Sequence, residues 1–140
     1  MTPLRLFRPF ILLSAAFGVS STAVDYFVAD LMSPELSNAR DNEPMFCFIE
    51  NYPIISLAIL LPWLAAALAG VVGLFLFKPW GRTLSLYSTV LGVFLIPFLG
   101  PVVSSGVAFS LDEVAITLWG ATLALAYFSP VAERFIVENR

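Results

Sequence analysis

Four long stretches of this chain contain no charged side chain, and no other feature restricts its fold so strongly. They cover residues 9–24, 51–77, 83–111 and 114–132. Crossing a bilayer takes about 20 mostly apolar residues, so the last three stretches suffice as they stand. The first suffices if Arg8 and Asp25 lie at the two interfaces. The sequence therefore predicts an all-α integral membrane protein, a bundle of four transmembrane helices.

Start and stop signals place these helices within a single domain. Spans are expected at about residues 9–31, 53–77, 83–103 and 111–130, with an outer loop at 32–52. Pro9 and Pro53 each stand where the first turn of a helix tolerates proline. The segment Ser110–Glu113 has the serine and glutamate spacing of a capping box. We therefore expect the fourth helix to begin there.

The third stretch is the least regular of the four. Pro97 and Pro101 interrupt it, so its helix is expected to end near Leu99. An irregular or re-entrant segment, residues 100–109, would follow, and backbone of that kind must be covered by protein or line a wet cavity. Before it, residues 78–82 form a turn short enough to make spans two and three an antiparallel hairpin.

The basic residues indicate how the bundle is oriented. Six of them fall on one side of the predicted spans: Arg5, Arg8, Lys78, Arg82, Arg134 and Arg140. Arg40 alone falls on the other side. Because Lys and Arg concentrate in cytoplasmic loops, both termini are expected in the cytoplasm. Residues 21–23 resemble a signal cleavage site, but apolar residues resume beyond Asp25, so a retained first helix is expected.

The composition removes most catalytic chemistry. The chain has no histidine, which excludes imidazole-held haem, His-based zinc or copper sites and His acid–base catalysis. Its single cysteine, Cys47, cannot form an intramolecular disulfide or a CxxC pair. No phosphate loop, nucleophile elbow or metal-ligand spacing is present. The prediction is a protein that is not an enzyme, holds no cofactor or metal and binds no nucleic acid.

Small residues recur at helical spacing in the first two spans. Gly18 belongs to such a strip in span one, and Ala66, Gly70 and Gly73 belong to strips in span two. This spacing allows two helix backbones to approach closely. Two readings remain open, packing inside the bundle and a seam between copies of the chain.

Polar groups inside the spans are the candidates for a transport path. Ser85, Ser88 and Thr89 form a polar strip on span three, and Asp25 is the ionisable group nearest the membrane interior. An acid at the interface is the expected reading of Asp25. A path lined by the hydroxyl groups would be the alternative.

The outer loop and the turn after span two supply candidate contacts with a partner. Phe46, Cys47 and Phe48 form an apolar cluster between acidic flanks. Such a cluster can lie on the bilayer surface or fill a partner's groove. Trp80 and Arg82 lie at the expected headgroup level, where tryptophan anchors a span.

Two short motifs carry a resemblance. The first is Phe77–Arg82, with its Pro-Trp-Gly-Arg turn, and the second is Ala126–Phe135, which contains Tyr127, Pro130 and Phe135. In these the chain resembles small, uncharacterised four-span proteins of the bacterial inner membrane. The resemblance implies a helical bundle in that membrane and implies no activity.

These observations favour a non-catalytic multi-pass membrane protein that acts as an accessory or assembly subunit of a larger membrane complex. Its partners would be membrane lipid and either other membrane-protein subunits or further copies of itself. A small oligomeric transporter or channel is one alternative. A binder of quinone or lipid in an aromatic-lined crevice is the other, since aromatic residues make up 14% of the chain.

Overall fold

The fold is all-α, as predicted. A computed structural model describes residues 3–28, 33–35, 37–38, 51–99 and 103–136. Its four long helices are α1 (Pro3–Phe27), α2 (Pro53–Phe75), α3 (Pro79–Leu99) and α4 (Gly106–Phe128), and a short 3₁₀ helix (Pro130–Phe135) follows α4. These residues contain no β-strand.

Three of the helices are long and apolar enough to cross a membrane, namely Arg5–Phe27 within α1, all of α2 and all of α4. Each of these segments has 23 residues. At 1.5 Å per residue that is about 34 Å, more than the roughly 30 Å of a hydrocarbon core. Helix α3 is the fourth long helix, with 21 residues. The three apolar helices are compatible with a multi-pass membrane protein.

Helix α1 begins earlier than the sequence pattern predicts. It starts at Pro3, which takes the N-terminal position assigned above to Pro9, and Pro9 lies inside the helix. An internal proline removes one backbone hydrogen bond. Phe7 and Ile11, on either side of Pro9, are both buried in the core.

Helix α4 also begins earlier, so the expected start at Ser110 was wrong. Ser105 is the N-cap residue, and its hydroxyl oxygen accepts the Ala108 N–H at 3.2 Å. The Ser110 hydroxyl instead donates to the Gly106 carbonyl at 2.8 Å, inside the helix. Residues 106–109, predicted to be irregular, are helical. Ser105 prevails because its cap extends the helix through the apolar residues that precede Ser110.

The turn between α2 and α3 is shorter than expected. Helix α3 already begins at Pro79, so only residues 76–78 form the turn. Lys78 N–H donates to the Gly73 carbonyl at 2.8 Å, and Phe77 N–H to the Leu74 carbonyl at 3.1 Å. These are the two bonds of a Schellman motif. Phe77 holds the left-handed position of that motif, at φ 57°, where glycine is usual.

The four helices form two antiparallel pairs, α1 with α4 and α2 with α3. The pairs meet at the end that carries Arg8, Lys78, Arg82 and Arg134, called here the basic end. The core lies there, because its α1 members are Phe7 and Ile11 and its 3₁₀ members are Val131 and Phe135. The other end, where α1 finishes and α4 begins, is called the far end.

Candidate functional site

Aromatic rings close the basic end of the bundle. Phe7 stacks on Phe77 with ring centroids 5.4 Å apart, and Phe135 lies 5.9 Å from Phe7 and 5.5 Å from Phe77. The three rings come from α1, the α2–α3 turn and the 3₁₀ helix. They therefore join both pairs. The packing of the Phe77 ring in this cluster explains why a bulky residue occupies the left-handed position of the turn.

Arg82 reinforces this closure from α3. Its guanidinium carbon lies 4.7 Å from the centroid of the Tyr127 ring, and its Nη1 donates to the Ala126 carbonyl at 3.4 Å. The Tyr127 hydroxyl donates in turn to the Arg82 carbonyl at 3.2 Å. The side chain predicted as a partner contact is thus used inside the chain. Trp80, its companion in that prediction, is 50% exposed.

The two motifs behind the resemblance meet at this end. Arg82 and Tyr127 come from different motifs and contact each other, and so do Phe77 and Phe135. Arg8 adds a second cation over the rings of Phe75 and Phe77, at 5.0 and 5.1 Å. The two motifs therefore supply contacts that join the α1–α4 pair to the α2–α3 pair.

Glycine determines how α2 packs on α3. A Cβ on Gly70 would lie 2.6 Å from the Ser85 Oγ and 3.0 Å from the Ser85 backbone nitrogen. A Cβ on Gly73 would lie 2.5 Å from the Gly81 Cα. The predicted strip thus packs inside the chain at these two positions. Ala66, on the same helix, is partly buried.

Hydroxyl groups join α1 to α4 instead. The Ser14 hydroxyl donates to the Ala115 carbonyl at 2.8 Å, and the Ser21 hydroxyl donates to the Ala108 carbonyl at 2.9 Å. Gly18 lies between them, and a Cβ there would be 3.9 Å from that of Ala115, an ordinary contact distance.

Asp25 completes this pairing at the far end. Both of its carboxylate oxygens lie 3.2 Å from the backbone N–H of Ser105, which precedes α4. The first N–H groups of a helix lack intrahelical partners and carry partial positive charge, so a carboxylate is favoured there. The contact gives this acid a structural use at the helix end.

Between the two pairs lies a cleft of about 300 Å³. Its walls are Ile11, Ser14 and Ala15 of α1, Trp63, Ala67 and Val71 of α2, Ser88 and Thr89 of α3, and Trp119 of α4. All four helices contribute to these walls. The cleft is the candidate functional site.

The polar groups of the cleft are bonded to one another. Trp119 Nε1 donates to the Thr89 Oγ1 at 2.8 Å, and Trp63 Nε1 donates to the Ser88 carbonyl at 2.8 Å. The Thr89 and Ser88 hydroxyls both donate to the Ser85 carbonyl, at 2.8 and 3.1 Å. The walls are therefore apolar surface carrying a few satisfied polar groups.

The predicted polar strip on α3 is divided by the structure. Ser88 and Thr89 line the cleft, whereas Ser85 is fully buried against Gly70. Sequence reasoning missed Trp63 and Trp119. A signal was present, because tryptophan in membrane proteins favours the interfaces and these two stand near the middle of α2 and α4.

The predicted loop contacts Phe46, Cys47 and Phe48 lie outside the residues that the structure describes. Within the described ranges, no three His, Cys, Asp or Glu side chains are grouped so that they could hold a metal ion. No family model, no curated protein and no solved structure matches the chain.

Proposed function

We propose that this is a non-catalytic multi-pass membrane protein that holds an apolar, membrane-soluble molecule in the cleft between its helix pairs. The cleft itself is the observation that supports this proposal. At about 300 Å³ it lies at the small end of the range of ligand pockets. That size suits one acyl or isoprenoid chain, or a small ring, rather than a whole phospholipid.

The walls of the cleft favour an apolar guest over an ion. None of the nine lining residues is charged. Ion pathways replace water of hydration with rings of carbonyls or charged side chains, whereas the hydroxyls of Ser88 and Thr89 both come from one helix, α3. Trp63 and Trp119 instead offer large apolar faces. The transporter or channel reading is therefore the less supported one.

The test is to fill the cleft. Ala67 lines it, whereas Ala65 is exposed on the same helix, so Ala67→Phe and Ala65→Phe form a matched pair. Protein extracted in mild detergent is weighed by native mass spectrometry, and bound small molecules are counted. We expect an adduct on the wild type and on Ala65→Phe that is lost from Ala67→Phe. Equal occupancy of the two variants would contradict the proposal.

An accessory or assembly subunit is the second candidate, and one face of α3 favours it. Five apolar residues recur there at alternating spacings of four and three, the pattern of a helix–helix seam: Trp80, Leu84, Tyr87, Leu91 and Phe94. Tyr87 and Phe94 are each 67% exposed. The occupant of this face would be a transmembrane helix of another subunit.

This second candidate has its own test. A partner subunit would give a stoichiometric additional mass in the same native spectra. The mass should disappear with the double change Tyr87→Ala and Phe94→Ala, and persist with Ile54→Ala, which alters an exposed residue of α2. A spectrum of the chain alone, in protein taken from its own membrane, would refute it.

The orientation proposed is the one that places the basic end in the cytoplasm of a bacterial cell, under the inner membrane. The positive-inside rule supports it, since Arg5, Arg8, Lys78, Arg82 and Arg134 gather at that end. An Arg134→Cys variant, in a Cys47→Ser background, should react with a membrane-impermeant maleimide only after the cells are opened. Labelling of intact cells from outside would reverse the orientation.

A further inference from the structure

We infer that the molecule held in the cleft carries an uncharged hydroxyl group, as a long-chain or isoprenoid alcohol does, and that this group donates a hydrogen bond to the Ser88 oxygen. The inference rests on the proposed function, because it requires that the cleft be a binding site. It goes further by naming the chemistry of the ligand's polar end.

The hydrogen-bond donors that line the cleft are all in use. Five side chains of the cleft can donate, and each proton already goes to a protein acceptor. The hydroxyls of Ser14, Ser88 and Thr89 donate to backbone carbonyls, and the indoles of Trp63 and Trp119 donate to α3. A ligand therefore meets no free donor on these walls.

The hydroxyl oxygens that line the cleft are the possible hydrogen-bond acceptors. A hydroxyl oxygen has two lone pairs besides its one proton. The Thr89 oxygen already accepts from Trp119, whereas the Ser14 and Ser88 oxygens accept from no group in the described ranges. Both residues line the cleft, where Ser88 is 6% exposed and Ser14 9%. The cleft can accept hydrogen bonds and cannot donate them.

This asymmetry selects among ligand head groups. A carbonyl, ether or carboxylate oxygen would lose its hydrogen bonds to water and gain none, which is costly in an apolar site. A hydroxyl would keep one donated bond. A single neutral hydrogen bond favours the hydroxyl ligand by about three- to tenfold in affinity.

Ser88 is the residue to change first. Its proton goes to the Ser85 carbonyl on its own helix, and that carbonyl also accepts from Thr89. Ser88→Ala therefore removes the lone pairs without leaving the carbonyl unpaired. Ser14 is a poorer choice because its hydroxyl joins α1 to α4.

The experiment uses the full chain in detergent with two probes that share one alkyl chain and carry bromine beside the polar end, 2-bromododecan-1-ol and its methyl ether. The bromine quenches Trp63 and Trp119, which line the cleft, in a Trp80→Phe background that removes the tryptophan outside it. We expect saturable quenching by both probes, with the alcohol binding about three to ten times more tightly. Ser88→Ala should bring that ratio near one, and Ser110→Ala, which alters an exposed hydroxyl of α4, should leave it unchanged.

The other outcomes separate the two claims. Saturable quenching with equal affinities for alcohol and ether would overturn the hydroxyl inference and leave the apolar cleft in place. So would a preference for the alcohol that survives Ser88→Ala. Quenching that never saturates, and is the same in Ala67→Phe as in Ala65→Phe, would overturn the proposed function as well.

Discussion

The two helix pairs of this chain are held together by different means. Helices α2 and α3 approach so closely that glycines meet, with no room for a Cβ on Gly73 or Gly81. Helices α1 and α4 leave an ordinary contact distance at Gly18 and are joined by the hydroxyls of Ser14 and Ser21. Since lipid is as apolar as leucine, burial in itself does not hold helices together in a membrane. Close packing and interhelical hydrogen bonds contribute instead. Glycine contacts distinguish the α2–α3 pair, which also has one hydrogen bond from Trp63 Nε1 to the Ser88 carbonyl. Serine hydroxyl bonds distinguish the α1–α4 pair.

The largest effect is expected from breaking the glycine contact. In Gly81→Ala the new methyl group would lie 2.5 Å from the Gly73 Cα and 2.6 Å from the Leu74 nitrogen. Both are backbone atoms, so a helix must move, at a cost of about 2–3 kcal/mol. The free energy of unfolding in mixed detergent and SDS measures the loss.

Gly120→Ala is the matched control, since a Cβ there meets nothing within 4 Å. It should be neutral, or should stabilise by up to about 1 kcal/mol through helix propensity. Equal losses from Gly81→Ala and Gly120→Ala would show that the α2–α3 pair does not depend on close approach.

A smaller effect is expected where the α1–α4 pair ends. Asp25→Ala leaves the Ser105 N–H without the carboxylate that accepts it, and should cost about 1 kcal/mol of unfolding free energy. Asp25→Asn keeps an oxygen acceptor and loses only the charge, so it should cost less. If Asp25→Asn and Asp25→Ala proved equally harmful in the same SDS titration, the charge of Asp25 would matter and its hydrogen bond to Ser105 would not.

The hydroxyl bonds of the α1–α4 pair should each contribute less. Ser14→Ala and Ser21→Ala remove the bonds to Ala115 and Ala108, and such bonds in membrane proteins average about 0.6 kcal/mol. The double variant, compared with the exposed Ser20→Ala, should therefore lose about 1 kcal/mol. A double variant as stable as Ser20→Ala would mean that these hydroxyls do not hold the pair.

The smallest effect is expected at Ser85, which belongs to the α2–α3 pair. It also gives the most direct comparison between the two pairs. The Ser85 hydroxyl oxygen is buried and has no hydrogen-bond partner among the described residues. Because an unpaired buried polar group is costly, Ser85→Ala should be neutral or stabilising by about 0.5 kcal/mol. A loss as large as that of Ser14→Ala would indicate that hydroxyl bonding supports both pairs.

The sequence predicted the helices far better than their partners. The charge-free stretch 51–77 locates α2 to within two residues at each end, whereas the stretch 114–132 begins eight residues after α4 does. Small-residue spacing pointed to Gly70 and Gly73. The start of α4 was misplaced because Ser105 and Ser110 are both acceptable caps. In the structure Ser105 makes the cap bond to the Ala108 N–H and the contact with Asp25. A sequence pattern does not show which face of one helix contacts which face of another.

The cleft was only partly visible for the same reason. Ser88 and Thr89 were singled out as polar groups within a span, but Trp63 and Trp119 become meaningful only when four helices bring them together. The alternative of a path lined by Ser85, Ser88 and Thr89 did not take account of the orientation of α3, which turns Ser85 toward α2.

The pairing of the first long helix with the last also has a consequence in time. Ser14 and its acceptor on Ala115 are 101 residues apart in the chain. At a synthesis rate of about 5–20 residues per second, roughly 5–20 s separate their emergence from the ribosome. During that interval α2 and α3, which are adjacent in sequence, can already form their hairpin, while α1 waits in the bilayer for its partner. An insertion factor that shields a half-assembled protein would have to cover α1 for longer than any other of the four long helices.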